Sequence, residues 1–464
     1  MSPFPQPAGL SSRWFRVGAV GLTSLLLVTG CGNRTSGGSG SGLGGGGTTS
    51  APAAGPGTGD FGTLATPCGA GDAKGSTDVG VTDKSIKIGV ISDKDAGPVR
   101  VPTAGIEASI QAFVDYCNGL GGINGRKLEL KSYDAKLTNA LAAINQACDD
   151  GLFALVGTGV VQDAPLAQPM IDCSLVSVAA YTATYSMSRN PNNVSPVPNP
   201  GNVYATGQAE WVAKTYPTAI KKAAIFYPSL AASSAQGERI VQARTTLGFK
   251  FIYTGTYPLI QTDWKTQAQT LKNKGVEYVT IVDSANAAVG MLQAFKDADY
   301  HPKVVDLGQQ YYDSSVAASG VAEGVLVQTN TQPFEQPNAA VSAYSTLLKK
   351  TAPKVPVTSL GVQGFSAGLL FASAAKELGS NLTRTGLLDE LHKIHEWDGG
   401  GLHPMQDPGN NKVNTCTKVL TVENSKFVPL FPKSDSTDPT TSFSCDASLV
   451  VEVKGDWGPV PHAK

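Results

Sequence analysis

The chain has 464 residues, enough for two or three domains that each bury a hydrophobic core. Lys and Arg number 36 against 37 Asp and Glu, so there is no bulk positive charge with which to bind a nucleic-acid backbone. Hydrophobic residues make up 41% and charged residues 16%, which excludes a chain that is disordered throughout.

The first 30 residues are predicted to be a signal peptide. Arg13 and Arg16 precede an apolar run over residues 17–28, which is too short to be a permanent membrane-spanning helix. Residues 27–31 resemble a bacterial lipobox, which makes Cys31 the expected lipidated first residue of the mature protein; an ordinary secretory signal is the alternative. Residues 31–83, rich in Gly and Ser at 33–59, are predicted to be a flexible tether to the outer face of the cell membrane.

Six cysteines remain after Cys31, an even number in an exported chain, and disulfides are therefore expected. None forms a CxxC pair, which disfavours a zinc ribbon or a thioredoxin-type site. Their spacing alone leaves fifteen pairings open. The six are Cys68, Cys117, Cys148, Cys173, Cys416 and Cys445.

Beyond the tether, apolar strand-like runs alternate with helical patterns, which predicts parallel α/β architecture. In the first half the predicted order is strand 86–91, helix 105–120, strand 127–133, helix 140–148, strand 154–157, helix 164–171 and strand 175–179. After a Pro/Asn-rich break at 190–200, the order is helix 205–216, strand 223–226, helix 235–247, strand 249–255, helix 265–274, strand 278–282, helix 287–298, and strands 303–307 and 325–329. Helices 338–350, 360–378 and 384–394 and a hairpin of strands 418–423 and 426–430 complete the chain.

Several of these segments resemble the leucine/isoleucine/valine-binding family of type I periplasmic solute-binding proteins. Residues 118–128 read Asn-Gly-Leu-Gly-Gly-Ile-Asn-Gly-Arg-Lys-Leu, a glycine-rich turn before a strand, and residues 86–90, 96–99 and 155–157 match in order and spacing. The likeness covers about residues 84–430.

The resemblance implies two doubly wound, Rossmann-like lobes joined by three hinge crossings near Pro200, Gln332 and Gly400. Lobe 1 is expected at 84–202 plus 334–398, and lobe 2 at 203–333 plus 399–460. Ligands of open α/β sheets bind beyond the carboxyl ends of the strands, so the cleft between the lobes is the expected site.

The function that the resemblance implies is that of a non-catalytic receptor, which captures a small polar or amphipathic molecule and delivers it to the permease of an ABC importer. A monomer without cofactor or metal is expected. A ligand sensor of the same fold, with a signalling partner, is the alternative. The residues expected to contact the ligand are Thr158, Gly159, Val160, Ala180, Tyr181, Thr182, Tyr227, Ser284, Gln309, Gln310 and Tyr311.

Thr158 and Thr182 match family positions whose hydroxyl groups hold the ligand, although either could instead cap a helix or form a local turn. Gln309 and Gln310 stand where amino-acid-binding members commonly have an acid for the ligand ammonium group. A neutral amide cannot supply that charge-assisted bond, which disfavours an α-amino-acid ligand. Asp283 and Ser284 end a predicted strand at the level of the cleft, with capping of the next helix as the alternative.

Two patterns suggest other chemistry. Residues 364–368 fit the G-x-S-x-G motif of α/β-hydrolases, so an esterase with Ser366 as nucleophile is a further alternative. Its acid would be Asp389 or Asp398 and its base His403 or His462, but the preceding segment is a poor strand and the family places a helix there. His392 and His395 could bind a metal, yet we interpret them as surface residues at a helix C-terminus.

The fold also narrows the disulfide pairing. In a doubly wound sheet of order 2-1-3-4-5, the helices that end at Cys148 and Cys173 lie side by side, while the helix bearing Cys117 lies on the other face. We therefore predict the pair Cys148–Cys173, which leaves Cys68–Cys117 and the local pair Cys416–Cys445.

Overall fold

A computed structural model of the protein describes residues 59–96, 101, 103, 105–260 and 263–462. The predicted signal peptide, Cys31, most of the predicted tether and residues 97–99 of the family-like motif lie outside these ranges. Within them, no helix combines the length and apolar character needed to cross a membrane.

The first lobe is built on a parallel sheet in the order β2-β1-β3-β4-β5, the order used to predict the disulfides. The central strand β1 is buried over most of its length because helices cover both faces of such a sheet. The elements are β1 (Ser85–Ser92), α1 (Ile106–Leu120), β2 (Lys127–Asp134), α2 (Ala140–Asp149), β3 (Ala154–Val156), α3 (Ala164–Asp172), β4 (Val176–Val178), α4 (Tyr185–Ser188) and β5 (Asn193–Val194).

The glycine-rich turn between α1 and β2 has a steric cause. Gly122 has a φ of +90°, and a Cβ placed there would lie 2.0 Å from the carbonyl oxygen of Arg126. Only glycine fits this close approach. The buried guanidinium of Arg126 donates to the carbonyl oxygens of Gly75, Thr82 and Gly379, so the turn also fixes neighbouring loops.

The second lobe is built on a sheet in the order β13-β12-β11-β10-β9-β7-β8. Strands β7 to β11 are parallel, whereas β12 and β13 form the predicted antiparallel hairpin at one edge. The first elements are β6 (Val203–Ala205), α5 (Gly207–Thr215), β7 (Ala223–Pro228), α6 (Ala231–Thr246), β8 (Phe251–Tyr257), α7 (Lys265–Lys274), β9 (Tyr278–Ile281), α8 (Ala285–Asp297), β10 (Val304–Leu307), α9 (Ser314–Ala317) and β11 (Leu326–Thr329).

The chain then returns to the first lobe, where the helices α10 (Ala339–Thr351), α11 (Ser359–Leu378) and α12 (Arg384–His392) complete the core. Phe365 on α11 packs edge-on against Phe113 on α1, with ring centroids 5.9 Å apart. The C-terminal elements are β12 (Cys416–Glu423), β13 (Lys426–Phe431), α13 (Pro439–Ser442), β14 (Ser444–Cys445) and β15 (Val450–Glu452).

The predicted tether extends too far along the chain. Residues from 59 onward pack on the first lobe, since Phe61 is 1% exposed and its ring lies 5.0 Å from that of Phe365. Cys68 is also buried there, in a disulfide with Cys117. Apolar side chains and a covalent bond hold this segment, which composition alone assigned to the tether.

The lobe boundaries near the C-terminus also differ from the expected ones. Trp397 and Leu402 belong to the core of the first lobe, so the chain leaves that lobe after residue 402 instead of at 399. After β15, which pairs with β6, the chain returns to the first lobe. There the backbone of His462 exchanges two hydrogen bonds with the Gln168 side chain, at 3.1 and 3.2 Å.

All three predicted disulfides are present: Cys68–Cys117, Cys148–Cys173 and Cys416–Cys445. The second joins the ends of α2 and α3 on one face of the first sheet. The third joins the paired strands β12 and β14.

Candidate ligand-binding cleft

A cavity of about 170 Å³ lies between the lobes, at the carboxyl ends of their parallel strands. Apolar side chains form much of its wall, and polar side chains are interspersed among them. The lining residues are Val101, Leu137, Val161, Tyr181, Thr182, Ala183, Asn199, Pro228, Leu230, Ala232, Ser233, Gln236, Leu259, Val282, Asp283, Ser284, Gln309, Gln310 and Leu360. An apolar cavity of about 150 Å³ can hold a benzene-sized molecule, so this one suits a ligand of about one ring or a short aliphatic chain.

Five of the predicted contact residues line this cavity: Tyr181, Thr182, Ser284, Gln309 and Gln310. The remaining six, which are Thr158, Gly159, Val160, Ala180, Tyr227 and Tyr311, do not.

Thr158 is 1% exposed, and its Oγ1 accepts a hydrogen bond from the Ile91 backbone N–H at 3.3 Å. Its hydroxyl group therefore serves the first sheet, which is neither the predicted ligand contact nor the helix cap or local turn considered as the alternative. Val160 is buried in a core cluster, and its carbonyl oxygen accepts from the Tyr181 hydroxyl at 2.9 Å. Ala180 is buried in the core of the first lobe.

The two tyrosines outside the cavity support it from behind. Tyr227 packs with Ile240 and Val282 in the second lobe. The Tyr311 hydroxyl donates to the Ile281 carbonyl oxygen at 3.0 Å and accepts from the Asp283 N–H at 2.7 Å. Neither tyrosine is among the described lining residues of the cavity, although both were predicted to contact the ligand.

In the first lobe, several backbone N–H groups beside the cavity have partners within the protein. The Gly159 N–H donates to the Ile91 carbonyl oxygen at 3.0 Å, and the Val161 N–H donates to Asp93 Oδ2 at 2.7 Å. Asp93 also accepts from the Leu137 N–H at 2.7 Å. Burial raises the pKa of Asp93.

A second buried carboxylate, that of Asp163, occupies the next set of amides. It accepts from the N–H groups of Ala183 at 2.6 Å and Thr184 at 3.0 Å, and from the Thr184 hydroxyl. Burial raises its pKa to about 7, although these hydrogen bonds act in the opposite direction.

The second lobe contributes a carboxylate to the cavity itself. Asp283 accepts hydrogen bonds from the Tyr257 hydroxyl at 2.6 Å and from the Ser284 N–H at 2.5 Å. Burial raises its pKa. Ser284 caps α8 by accepting from the Ala287 N–H at 3.3 Å, which confirms the capping alternative for that residue.

Arg239 connects the lobes beside the cavity and orients one lining residue. From α6 it donates to the carbonyl oxygens of Ala183 in the first lobe, at 2.9 Å, and of Gly201 between the lobes, at 3.1 Å. It also donates to Gln236 Oε1 at 2.6 Å. Because arginine can only donate, the Gln236 carbonyl oxygen must face it, and the amide NH₂ group is directed away.

A second, more polar chamber of about 400 Å³ adjoins this cavity, sharing Val101, Gln309, Gln310 and Leu360 with it. Its charged lining residues are Asp93, Lys94, Asp95, Asp313 and Lys354. Lys94 forms an ion pair with Glu107 at 2.8 Å.

The esterase alternative is wrong. Ser366 lies within α11 and is fully buried, instead of standing at an exposed turn between strand and helix. Its Oγ lies 2.9 Å from His403 Nε2 and accepts from Trp397 Nε1 at 3.0 Å. His403 Nδ1 lies 3.1 Å from the Pro404 carbonyl oxygen, so the dyad is a closed network within the core.

The described residues contain no cluster of three or more His, Cys, Asp or Glu side chains that could hold a metal ion. His395 Nδ1 lies 2.9 Å from Asp407, and half of its side chain is exposed. This agrees with the interpretation of His395 as a surface residue.

Several lining residues escaped sequence reasoning. Gln236 lies near the start of the predicted helix 235–247, where periodicity indicates the core-facing side but not a ligand contact. Asn199, Leu230 and Leu259 lie in loops whose sequences carry no periodic pattern.

Comparison with known proteins agrees with this arrangement. The sequence profile of the periplasmic binding protein family matches residues 85–426. Among solved structures, the fatty acid ABC transporter substrate-binding protein from Thermomonospora curvata has a TM-score of 0.67 at 17% identity, covering 82% of this chain and 99% of that one. No curated protein sequence matches the chain.

Two further structures with the same fold contain ligands. The substrate-binding protein of a branched-chain amino acid transporter from Streptococcus pneumoniae, in complex with isoleucine, has a TM-score of 0.62 at 16% identity, covering 75% of this chain and 100% of that one. A solute-binding protein of an ABC transporter from R. palustris, in complex with 4-hydroxybenzoate, has a TM-score of 0.63 at 18% identity, covering 75% and 96%.

Proposed function

Because the chain belongs to the periplasmic binding protein family, we propose that it is the extracytoplasmic receptor of an ABC importer, with a small, largely apolar solute as its ligand. The observation that carries the proposal is the cavity between the lobes, to which both sheets contribute at their carboxyl strand ends. Relatives of this fold bind isoleucine and 4-hydroxybenzoate, which are molecules of comparable size.

The mechanism follows from a ligand that touches both lobes. Thr182 and Tyr181 stand on the first lobe, and Ser233 and Asp283 stand on the second. A ligand between them makes its full set of contacts only when the lobes are closed, so it binds the closed state more tightly and shifts the population towards it. The permease would then recognise the closed, loaded receptor.

The predicted lipid on Cys31 would keep the receptor at the membrane that contains the permease. A Gly/Ser-rich segment follows that cysteine, and such segments behave as flexible coils. The folded body begins by Phe61, which leaves about 30 residues of chain for the tether by the spacing of these positions.

A thermal-shift screen of small organic molecules tests the proposal. A ligand that binds only the native state stabilises it by about 2.7 kcal/mol at a concentration of 100 times Kd, which raises the melting temperature. Small-angle scattering of the best compound should then show a smaller radius of gyration. If no compound stabilises the protein, or if the stabilising compound causes no compaction, the proposal fails.

A matched pair of variants locates the binding site. Ser233→Trp places a large ring on the cavity wall, whereas Leu141→Trp places it on the surface, at a position that is 52% exposed. We expect S233W to lose the stabilisation by ligand and L141W to keep it. Both variants must melt cooperatively for the comparison to count.

A further inference from the structure

Several first-lobe amides beside the cavity are occupied by the protein's own aspartates. Asp93 accepts from the Val161 N–H, and Asp163 accepts from the N–H groups of Ala183 and Thr184. These three amides are therefore not available to a ligand carboxylate, which disfavours a carboxylate at this part of the wall.

The second lobe adds an acid where a ligand could use one. Asp283 lines the cavity, and its protein donors are all neutral: the Tyr257 hydroxyl and the N–H and hydroxyl of Ser284. Among the described residues, none with a positive charge forms an ion pair with it, and the described lining of this cavity contains no Lys, Arg or His. A carboxylate has about four acceptor positions, so about one remains for a ligand.

The adjoining chamber also has more acidic than basic side chains in its described lining. Asp93, Asp95 and Asp313 line it against Lys94 and Lys354, and Lys94 is already paired with Glu107. Among the described lining residues of the two chambers, acids thus outnumber bases.

We infer that the ligand is a small apolar amine without a carboxylate, whose protonated nitrogen donates to Asp283 while its hydrocarbon part fills the apolar cavity. This inference rests on the proposed function and specifies its ligand class. Asp283 follows β9. The family resemblance predicts an acid after β10 instead, but Gln309 and Gln310 stand there. Asp283 has no positively charged partner among the described residues. A ligand ammonium group would supply one, through a charge-assisted hydrogen bond.

Three compounds with the same hydrocarbon skeleton test the contributions of the amine and the carboxylate to binding separately. Phenethylamine carries only the amine, 3-phenylpropanoate only the carboxylate, and phenylalanine carries both. Isoamylamine, 4-methylpentanoate and leucine form the matching aliphatic set. Calorimetric titration of the intact protein with each set should rank the amine first, the amino acid second and the carboxylate last.

Asp283→Asn then tests the residue. It retains the size of the side chain and an oxygen acceptor but loses the charge, so amine affinity should fall about 10- to 150-fold. Asp297→Asn, an exposed aspartate on α8, is the control and should leave affinity unchanged. The wild-type ranking alone remains decisive if D283N does not fold.

The possible results distinguish a failure of this inference from a failure of the proposed receptor function. Tighter binding of a carboxylate or an amino acid than of its amine overturns the amine assignment, while the receptor function stands. Binding of the amine that D283N does not weaken overturns the role of Asp283. If neither set binds, the amine assignment fails, while the receptor function is still decided by the thermal-shift screen.

Discussion

Protonation of His403 should destabilise the first lobe at mildly acidic pH. The imidazole is fully buried between Ser366 and the Pro404 carbonyl oxygen, and burial lowers its pKa from 6.5 to about 4. The unfolded chain therefore binds a proton in a pH range where the folded protein does not. The stability contributed by neutral His403 is fully present above pH 6.5, falls as the pH drops from there to about 4, and is constant below that value.

The magnitude follows from the two pKa values. A His403 pKa of 6.5 in the unfolded chain and about 4 in the folded protein lowers the free energy of unfolding by about 2 kcal/mol at pH 5 relative to pH 7.5. The loss reaches about 3 kcal/mol once the pH is below 4. Buried carboxyl groups have the opposite effect. Burial raises the pKa of Asp163 to about 7 and of Asp306 to about 6, so their contributions fall as the pH rises above their unfolded values.

A matched variant isolates the histidine from these carboxyl groups. In His403→Gln, the glutamine can still accept from the Ser366 hydroxyl but cannot titrate. The pH dependence due to the carboxyl groups is the same in both proteins, so the difference in free energy of unfolding between wild type and H403Q reports the histidine alone. Urea unfolding followed by tryptophan fluorescence, which includes buried Trp397, measures both proteins from pH 7.5 to 5. If the difference between wild type and H403Q stays constant across that range, the assignment of a buried neutral imidazole is wrong.

The remaining predictions concern the cleft, the anchor and the disulfides. Thr182→Val should weaken ligand binding about 5- to 150-fold and leave stability nearly unchanged. Thr158→Val should instead cost about 1–3 kcal/mol of stability, because the Ile91 N–H loses its acceptor, and should leave affinity unchanged. The reverse pattern in titration and urea unfolding would refute this view of the cleft. Cys31→Ser should move the protein from the membrane to the soluble fraction, and unchanged retention would exclude the lipid anchor. Peptide mapping without reduction should recover Cys148 linked to Cys173, and a Cys117–Cys148 peptide would contradict the fold-based pairing.

Much of the fold could be predicted because its main strands are buried on both faces and alternate with amphipathic helices. The predicted strand at 278–282 and helix at 265–274 agree with β9 (Tyr278–Ile281) and α7 (Lys265–Lys274). Very short strands such as β5 and β15 escaped prediction, since two or three residues carry no periodicity. Their pairing is decided by distant parts of the chain, as β15 shows by pairing with β6.

The cleft could be located from the sequence, but its chemistry could not. Thr182 was nominated because it matches a ligand-holding position of the family, and it lines the cavity. Thr158 was nominated on the same ground, yet its hydroxyl serves Ile91, a residue 67 positions earlier in the chain. Nor does the sequence reveal that Asp163 takes the amides of residues 183 and 184. Whether a polar group faces a ligand or an internal partner depends on contacts between segments far apart in sequence.

A crystal structure with the tightest-binding compound from the screen tests the central claim most directly. We predict electron density for the compound between the lobes, in contact with Thr182 on the first lobe and Asp283 on the second. Density for the compound anywhere else, or contacts confined to one lobe, would contradict a receptor that closes around its ligand.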